Sequence, residues 1–355
     1  LSKSLLTSQI NLWLPIFKLI INYLLFIIFI FILFIFLFLF LIFFLEGLVR
    51  LFNLSNLLGI NEELIITNSK PLAYKPNMQS VVFGIDVFTD TYGFRVPSKK
   101  FNYSKKNSIL ILGDSTSYGV GVKEQQTFVG LLRERFPEIN FYNSSLAGHN
   151  IYDHILLLEK LKNKIDFNKI LYFLNLNDID ALRSEEKIQN LSNDNNENLS
   201  ISEKLKKNSI FSNLNFYLRS RSALYVYIKS LVSDPSKTHF EKTYKNYLIE
   251  NNLTLYEKNL DKIFLDLNNK FSISVIILPW EFQMRENCTN KNLFLPQKVL
   301  KKYFLKNKID YVDFSKNFCE EENVKKLFLN FDPAHLSESG HIFTEKLLLK
   351  YNKVQ

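Results

Sequence analysis

The chain is poor in cysteine: Cys288 and Cys319 are the only two among 355 residues, and neither a CxxC nor an HExxH occurs. Without such ligand spacing a metal site has no support, and none is expected. A G-x-x-x-x-G-K-[ST] loop is missing, and so is a G-x-G-x-x-G turn, which removes the two common phosphate-cradling loops. No cofactor is therefore expected. Arginine never gathers into a stripe. The net charge of +9 thus reads as lysines spread over a solvated surface rather than as a nucleic-acid footprint, and no nucleic acid is expected as a partner. The abundance of Lys, Asn, Ile and Phe looks as much like a genome-wide bias as a function. No internal repeat is visible.

Charge is absent altogether from Leu19 to Leu45, a run of mostly Phe, Leu and Ile. At about 1.5 Å rise per residue, a helix of that length exceeds a bilayer core of roughly 30 Å and can span it with some tilt. A core helix rarely runs so long without a polar face. A cleavable signal would have a shorter apolar region and an A-x-A-like site, and "LIFFLEGLVR" offers none. The segment 19–45 is read as an uncleaved signal anchor. Lys3 and Lys18 precede it without an acidic residue, whereas Glu46 and Arg50 cancel after it. The positive-inside rule then leaves 1–18 in the cytoplasm and the rest outside, at a single-pass inner (cytoplasmic) membrane with a periplasmic domain.

Residues 46–106 form a connector. "PLAYKPNMQSVVFGIDVFTDTYGFRV" is punctuated by Pro and Gly and reads as short strands and turns that pack on the domain C-terminal to them. From Asn107 onward the pattern alternates. Apolar strands are expected at 108–113, 139–146, 169–177, 272–279 and 309–315, with helices at 126–136, 152–164 and 337–351. Continuous apolar strands separated by helices imply a parallel sheet covered on both faces. Between Asn177 and Ser272 the chain is too long for one crossover. A polar tract at 189–200 reads as a mobile surface loop, helices are expected at 214–231 and 240–269, and the insertion of about 178–271 is a lid, a partner surface or ordinary padding.

The strand "SILILG" ends abruptly in "GDSTSYGVGV". Ser115 does not sit in an α/β-hydrolase elbow, because Ser117 stands where the second Gly of G-x-S-x-G belongs. G-D-S alone is a weak motif. A serine nucleophile needs a base, a group that orients the base, and donors for the oxyanion. "FDPAHLSESGH" supplies Asp332 and His335, three apart with Pro333 in the turn, and only five histidines occur in the chain. Gly148 in "SLAGHN" and Asn177 in "LNLND" come after the next two strands.

With these four blocks in order, residues 107–355 resemble the SGNH/GDSL hydrolase family. "YKPN" and "TDTYGFR" resemble segments of its membrane-anchored bacterial members. One departure is Asn175, where the third block usually carries Gly. The resemblance implies a flavodoxin-like three-layer α/β/α fold with sheet order 2-1-3-4-5. That order gathers Ser115, Gly148, Asn177 and the Asp332–His335 loop at one sheet edge beside the switch point. It implies acyl transfer through an acyl-serine. Ser115 would be nucleophile, His335 base, Asp332 its orienting carboxylate, and the N–H groups of Ser115 and Gly148 with the Asn177 amide would form the oxyanion hole.

Other residues are weaker candidates. His149 would line the pocket or lie on the surface, and Trp280 would contact substrate or pack as a core aromatic. Asp114 and Asp178 read as structural, and His341 as bland. Cys288 and Cys319 come after neighbouring strands in the implied order, so a disulfide is expected if the compartment is oxidising. Three functions fit the pattern. One is an esterase removing acyl groups, such as acetyl, from an envelope glycan or lipid. Another is an O-acyltransferase that modifies a surface polysaccharide with a membrane acyl-donor protein as partner. The third, a non-catalytic glycan-binding scaffold, is disfavoured because no triad member is missing.

Overall fold

The long apolar run folds as one helix. Helix α1 spans Ser2–Leu51, and its stretch Lys18–Leu51 is long and apolar enough to cross a membrane. In this computed structural model, residues 2–52, 54–55, 64–66, 69–103, 107–181, 209–265 and 271–354 are described. The chain divides into two compact units, Leu1–Leu54 and Ser55–Gln355. The polar tract at 189–200 lies outside the described residues.

In the second unit the connector forms an antiparallel sheet of β1 (Gln79–Val82), β2 (Ile85–Thr89) and β3 (Arg95–Val96). Its Val82 and Val87 pack with Tyr74, Tyr118, Val120 and Leu146, so the connector shares a core with the residues after Ser115. Arg95 of β3 is buried, and its guanidinium donates to the carbonyls of Tyr118, Gly119 and Val122.

The remaining elements run in the order β4 (Asn107–Gly113), α2 (Ser115–Tyr118), α3 (Phe128–Arg135), β5 (Ile139–Asn143), α4 (Ile151–Leu161) and β6 (Lys169–Leu174). Next come α5 (Ser209–Arg221), α6 (Ala223–Ser233), α7 (Pro235–Asn246), α8 (Glu250–Phe264), β7 (Ser272–Ile277) and α9 (Glu281–Met284). The chain closes with α10 (Leu295–Lys306), β8 (Asp310–Asp313), α11 (Ser315–Cys319) and α12 (Glu338–Lys350). The five strands pair in parallel in the order β5-β4-β6-β7-β8, which is the flavodoxin-like 2-1-3-4-5 arrangement.

Strand side chains alternate between the two covered faces, as a period of two requires. Leu110 and Leu112 point to the core beneath α4, α8 and α10, with Leu158, Phe264 and Phe304. Ile109 and Ile111 point to the opposite core with Phe128 and Leu132 of α3 and Leu347 and Leu348 of α12. Both faces are therefore dry, and the strands read as uninterrupted apolar runs rather than as an alternation.

The long segment after β6 departs from expectation in two ways. Neither expected helix is continuous. Ser222 ends one and caps the next by accepting the Tyr225 N–H, and Ile249 precedes a fresh start at Glu250. Furthermore, α8 places Tyr256, Leu260, Ile263 and Phe264 in the main core. It is thus the crossover helix between β6 and β7, and the true insertion ends before it.

Candidate active site

The turn after β4 is fixed by glycine and aspartate. A Cβ at Gly113 would run into the Ser117 hydroxyl and the Phe173 carbonyl oxygen, so only glycine fits there. Asp114 then caps α2, its Oδ1 accepting the Thr116 N–H at 3.0 Å. Ser115 is the first residue of that helix, and its N–H makes no hydrogen bond among the described residues. Ser117 is buried, and its hydroxyl donates to Ser145 Oγ at 2.9 Å, tying the nucleophile turn to the loop after β5.

Asn175 links three elements. Its Nδ2 donates to Asp114 Oδ2 at 2.7 Å and to Thr116 Oγ1 at 3.1 Å, and its Oδ1 accepts the Trp280 Nε1–H at 2.8 Å. A glycine at this position would remove the partner of the Trp280 Nε1–H and the shorter of the two bonds to Asp114 Oδ2. The Asn175 departure is therefore matched by the buried indole of Trp280, whose Nε1–H occupies the amide oxygen. Burial is the main influence on Asp114 and raises its pKa, against the lowering effects of the Thr116 N–H, the His335 charge and the Asn175 amide.

The Asp332–His335 turn folds back on itself. Asp332 Oδ1 accepts the N–H groups of Ala334 at 3.0 Å and His335 at 2.8 Å, while Oδ2 lies 2.7 Å from His335 Nδ1. The Glu281 N–H donates to the Pro333 carbonyl at 2.8 Å, which ties the turn to the segment after β7. Burial opposes charge on His335, but the Asp332 carboxylate outweighs it and raises the pKa above the ordinary 6.5. Burial likewise opposes charge on Asp332, yet the His335 charge and the turn's hydrogen bonds hold its pKa below 3.8.

Asp114 brings the two halves of the site into electrostatic reach. Ser115 Oγ donates to Asp114 Oδ2 at 3.4 Å, and the Asp114 charge is among the influences that raise the His335 pKa. Among the described residues no hydrogen bond joins Ser115 Oγ to His335, a looseness common in active sites without substrate.

Two further donors are available. Gly148 has a φ of +97°, a left-handed conformation that favours glycine, and its N–H is unengaged among the described residues. Asn177 lies in the short 3₁₀ helix Leu176–Ala181; its Nδ2, the donor of the amide, makes no hydrogen bond among the described residues, and its buried Oδ1 has no partner there either. With the Ser115 N–H, these are three donors not committed to the protein's own structure.

The weaker candidates divide differently. His149 is buried, with Nε2 2.8 Å from the Leu72 carbonyl oxygen. It borders an apolar cavity of about 230 Å³ under the connector, beside Leu72, Tyr74 and Leu157, rather than the cleft at His335. Trp280 is packed rather than exposed to substrate, only 2% exposed and stacked on His239 at 5.0 Å. His341 is buried, with Nδ1 accepting the Phe128 N–H at 3.3 Å, and burial pushes its pKa down to about 3. Asp178 accepts the Tyr172 hydroxyl at 3.1 Å. Cys288 and Cys319 form a disulfide with Cα atoms 5.9 Å apart. No group of three or more His, Cys, Asp or Glu suited to a metal occurs among the described residues.

Sequence reasoning missed His239 of α7. It lines an open cleft of about 520 Å³ with Asp332 and His335. Nothing near it in sequence marks it, because its place depends on how the segment after β6 folds back over Trp280.

No family model and no curated protein matches the chain. Solved structures are similar at low identity. A member of the lipolytic G-D-S-L family from Veillonella parvula is 16% identical, with 69% of this chain and 97% of that one covered at a TM-score of 0.40. A lipase/acylhydrolase from Enterococcus faecalis is 12% identical, covering 69% and 94% at 0.40. A catalytic mutant of an acetylxylan esterase from Geobacillus stearothermophilus is 15% identical, covering 70% and 95% at 0.37.

Proposed function

We propose that the chain is a membrane-anchored serine esterase of the SGNH/GDSL type, with α1 as its anchor and residues 107–355 carrying the chemistry on the periplasmic side of the inner membrane. The substrate would be an acyl ester, such as acetyl, on an envelope glycan or lipid. The observation that carries the reading is the His335–Asp332 pair, 2.7 Å apart on a single turn and electrostatically linked to the Asp114–Ser115 corner. Asp332 fixes the imidazole through Nδ1, which leaves Nε2 as the basic nitrogen.

In this mechanism His335 accepts the Ser115 hydroxyl proton as Oγ bonds to the ester carbonyl carbon. The negative charge on the carbonyl oxygen is met by the N–H groups of Ser115 and Gly148 and the Asn177 amide. Collapse breaks the bond to the leaving alkoxide, which takes the proton from His335. Water then attacks the acyl-serine by the same route and releases the acid. Transfer to a sugar hydroxyl instead of water is the second reading. The open cleft beside His335, about 520 Å³, favours keeping it, since an acceptor sugar has room there. In that case a membrane acyl-donor protein would be the partner.

Fluorophosphonate labelling of the full chain in detergent micelles tests the activated serine. Labelling that Ser115→Ala and His335→Ala each abolish is expected. No labelling of folded, unsubstituted protein would overturn the reading.

A further inference from the structure

The cleft at His335 has more positive than negative groups among its described lining residues. Its lining includes Arg219 of α5 and Lys242 and His239 of α7, and its one carboxylate among the described residues, Asp332, is bonded to His335. Among the described residues, neither Arg219 nor Lys242 is ion-paired. Asp234 and Glu281 are bridged by Arg285, and Asp180 accepts from Thr243 and Asn246. Arg219 and Lys242, two cations on a concave site with no ion pair among the described residues, concentrate anionic ligands there.

The rest of the lining narrows the ligand. Phe331 is 38% exposed at the rim, and the half-buried His239 ring is held flat against Trp280. Flat, fixed rings beside polar groups suit the apolar face of a sugar ring. Ser230, Ser233 and Thr238 add hydroxyl groups to the cleft wall. The separate cavity under the connector is bordered by neither Ser115 nor His335.

Resting on the esterase reading, we infer that the substrate is an anionic O-acylated glycan, with carboxylate-bearing sugars held by Arg219 and Lys242 while a short acyl group reaches Ser115. Cleavage forms the acyl-serine Oγ–C bond as the sugar C–O ester bond breaks. The sugar hydroxyl regains the proton from His335, and water later completes the balance.

The test uses the full chain carrying Ser115→Ala in detergent micelles, so that binding is read without turnover. The probes are O-acetylated polygalacturonate, O-acetylated dextran as the neutral control, and phosphatidylglycerol micelles as the lipid arm. Binding to the uronate polymer at least about tenfold tighter than to dextran is expected, falling steeply as salt rises toward about 0.3 M. Adding Arg219→Gln and Lys242→Gln removes most of that preference. Equal binding to both polymers, a preference that survives the double substitution, or tighter binding of the lipid micelles than of the uronate polymer would each overturn the inference. Hydrolysis of a small neutral ester by the unsubstituted chain separates the two proposals. Selective binding without hydrolysis sinks the esterase reading alone, whereas hydrolysis without selective binding sinks only the glycan assignment.

Discussion

The molecule holds two imidazole–carboxylate pairs, and they behave in opposite ways. His335 and Asp332 sit 2.7 Å apart at the edge of an open cleft. His154 and Asp178 lie 3.8 Å apart and fully buried under the same sheet edge, with the Tyr172 hydroxyl between them, 3.0 Å from His154 Nδ1 and donating to Asp178 at 3.1 Å. In the first pair the carboxylate keeps its charge and raises the imidazole pKa. In the second, burial and then the Asp114 charge raise Asp178 well above the carboxylate range. Burial, helped by His149, pushes His154 down to about 3, so that burial works against charge on both partners. Proximity of a histidine to an aspartate is therefore not enough. The Asp332 carboxylate is held ionised first by the His335 charge and the bond to its ring, and two backbone N–H bonds from its own turn add to them. Asp178 has no such pair of donors, and one of its oxygens has no partner among the described residues.

Removing that difference should have the largest effect. Asp332→Asn leaves the geometry nearly intact but removes the charge that holds His335, and kcat/KM for a neutral ester is expected to fall by about 10⁴. Steady-state kinetics against the unsubstituted chain would show it, and a fall of less than tenfold would detach Asp332 from the chemistry. Next comes Asn177, the oxyanion donor under the proposed function. Asn177→Ala should cost about 10²–10³ in kcat with little change in KM, since the amide acts on charge that develops only in the transition state.

The pH profile sharpens the contrast further. His335 must be neutral to accept the serine proton, and its pKa is raised above 6.5. Activity should therefore be full above that raised pKa and lost as pH falls through it, with the acid-side midpoint of kcat/KM above 6.5. In Asp332→Asn burial acts on His335 with its main counterweight gone, and the midpoint of the residual activity should move to lower pH. A midpoint that stays in place would mean that another group sets the limb. The smallest effect on catalysis is expected from the buried pair. His154→Gln should lower stability by about 1–3 kcal/mol through imperfect partners for Tyr172, as read by thermal unfolding, while kcat/KM changes less than about tenfold.

Much of this was legible in the sequence, for identifiable reasons. The five strands were readable because both sheet faces are buried, so Ile109 to Leu112 form one apolar run. Ser115, Asp332 and His335 were readable because each is positioned by its immediate neighbours: Asp114 caps the first, and a three-residue turn joins the others. What stayed hidden depends on distant partners. His239 acquires its position through Trp280, and Asn175 is explained only by an indole more than a hundred residues away. The helix breaks at Ser222 and Ile249 were missed because the apolar spacing continues across them, while Ser222 caps a new helix and Leu253 N–H bonds back to Ile249. The role of α8 as a crossover was masked by the polar length that precedes it.

The buried Arg95 bears on how this protein would be divided. Drawn from motifs alone, the catalytic piece begins at Asn107, after the connector. Yet the Arg95 guanidinium, from β3, is the donor for three carbonyls in the loop after Ser115, and the Leu72 carbonyl accepts from the His149 ring beside Gly148. A piece cut at residue 107 would leave those carbonyls facing a gap and strip the cover from the turn next to the oxyanion glycine. Viewed as an inheritable module, the connector travels with the candidate site and not with helix α1. Any exchange of the N-terminal helix between such chains would have to join them upstream of Leu64.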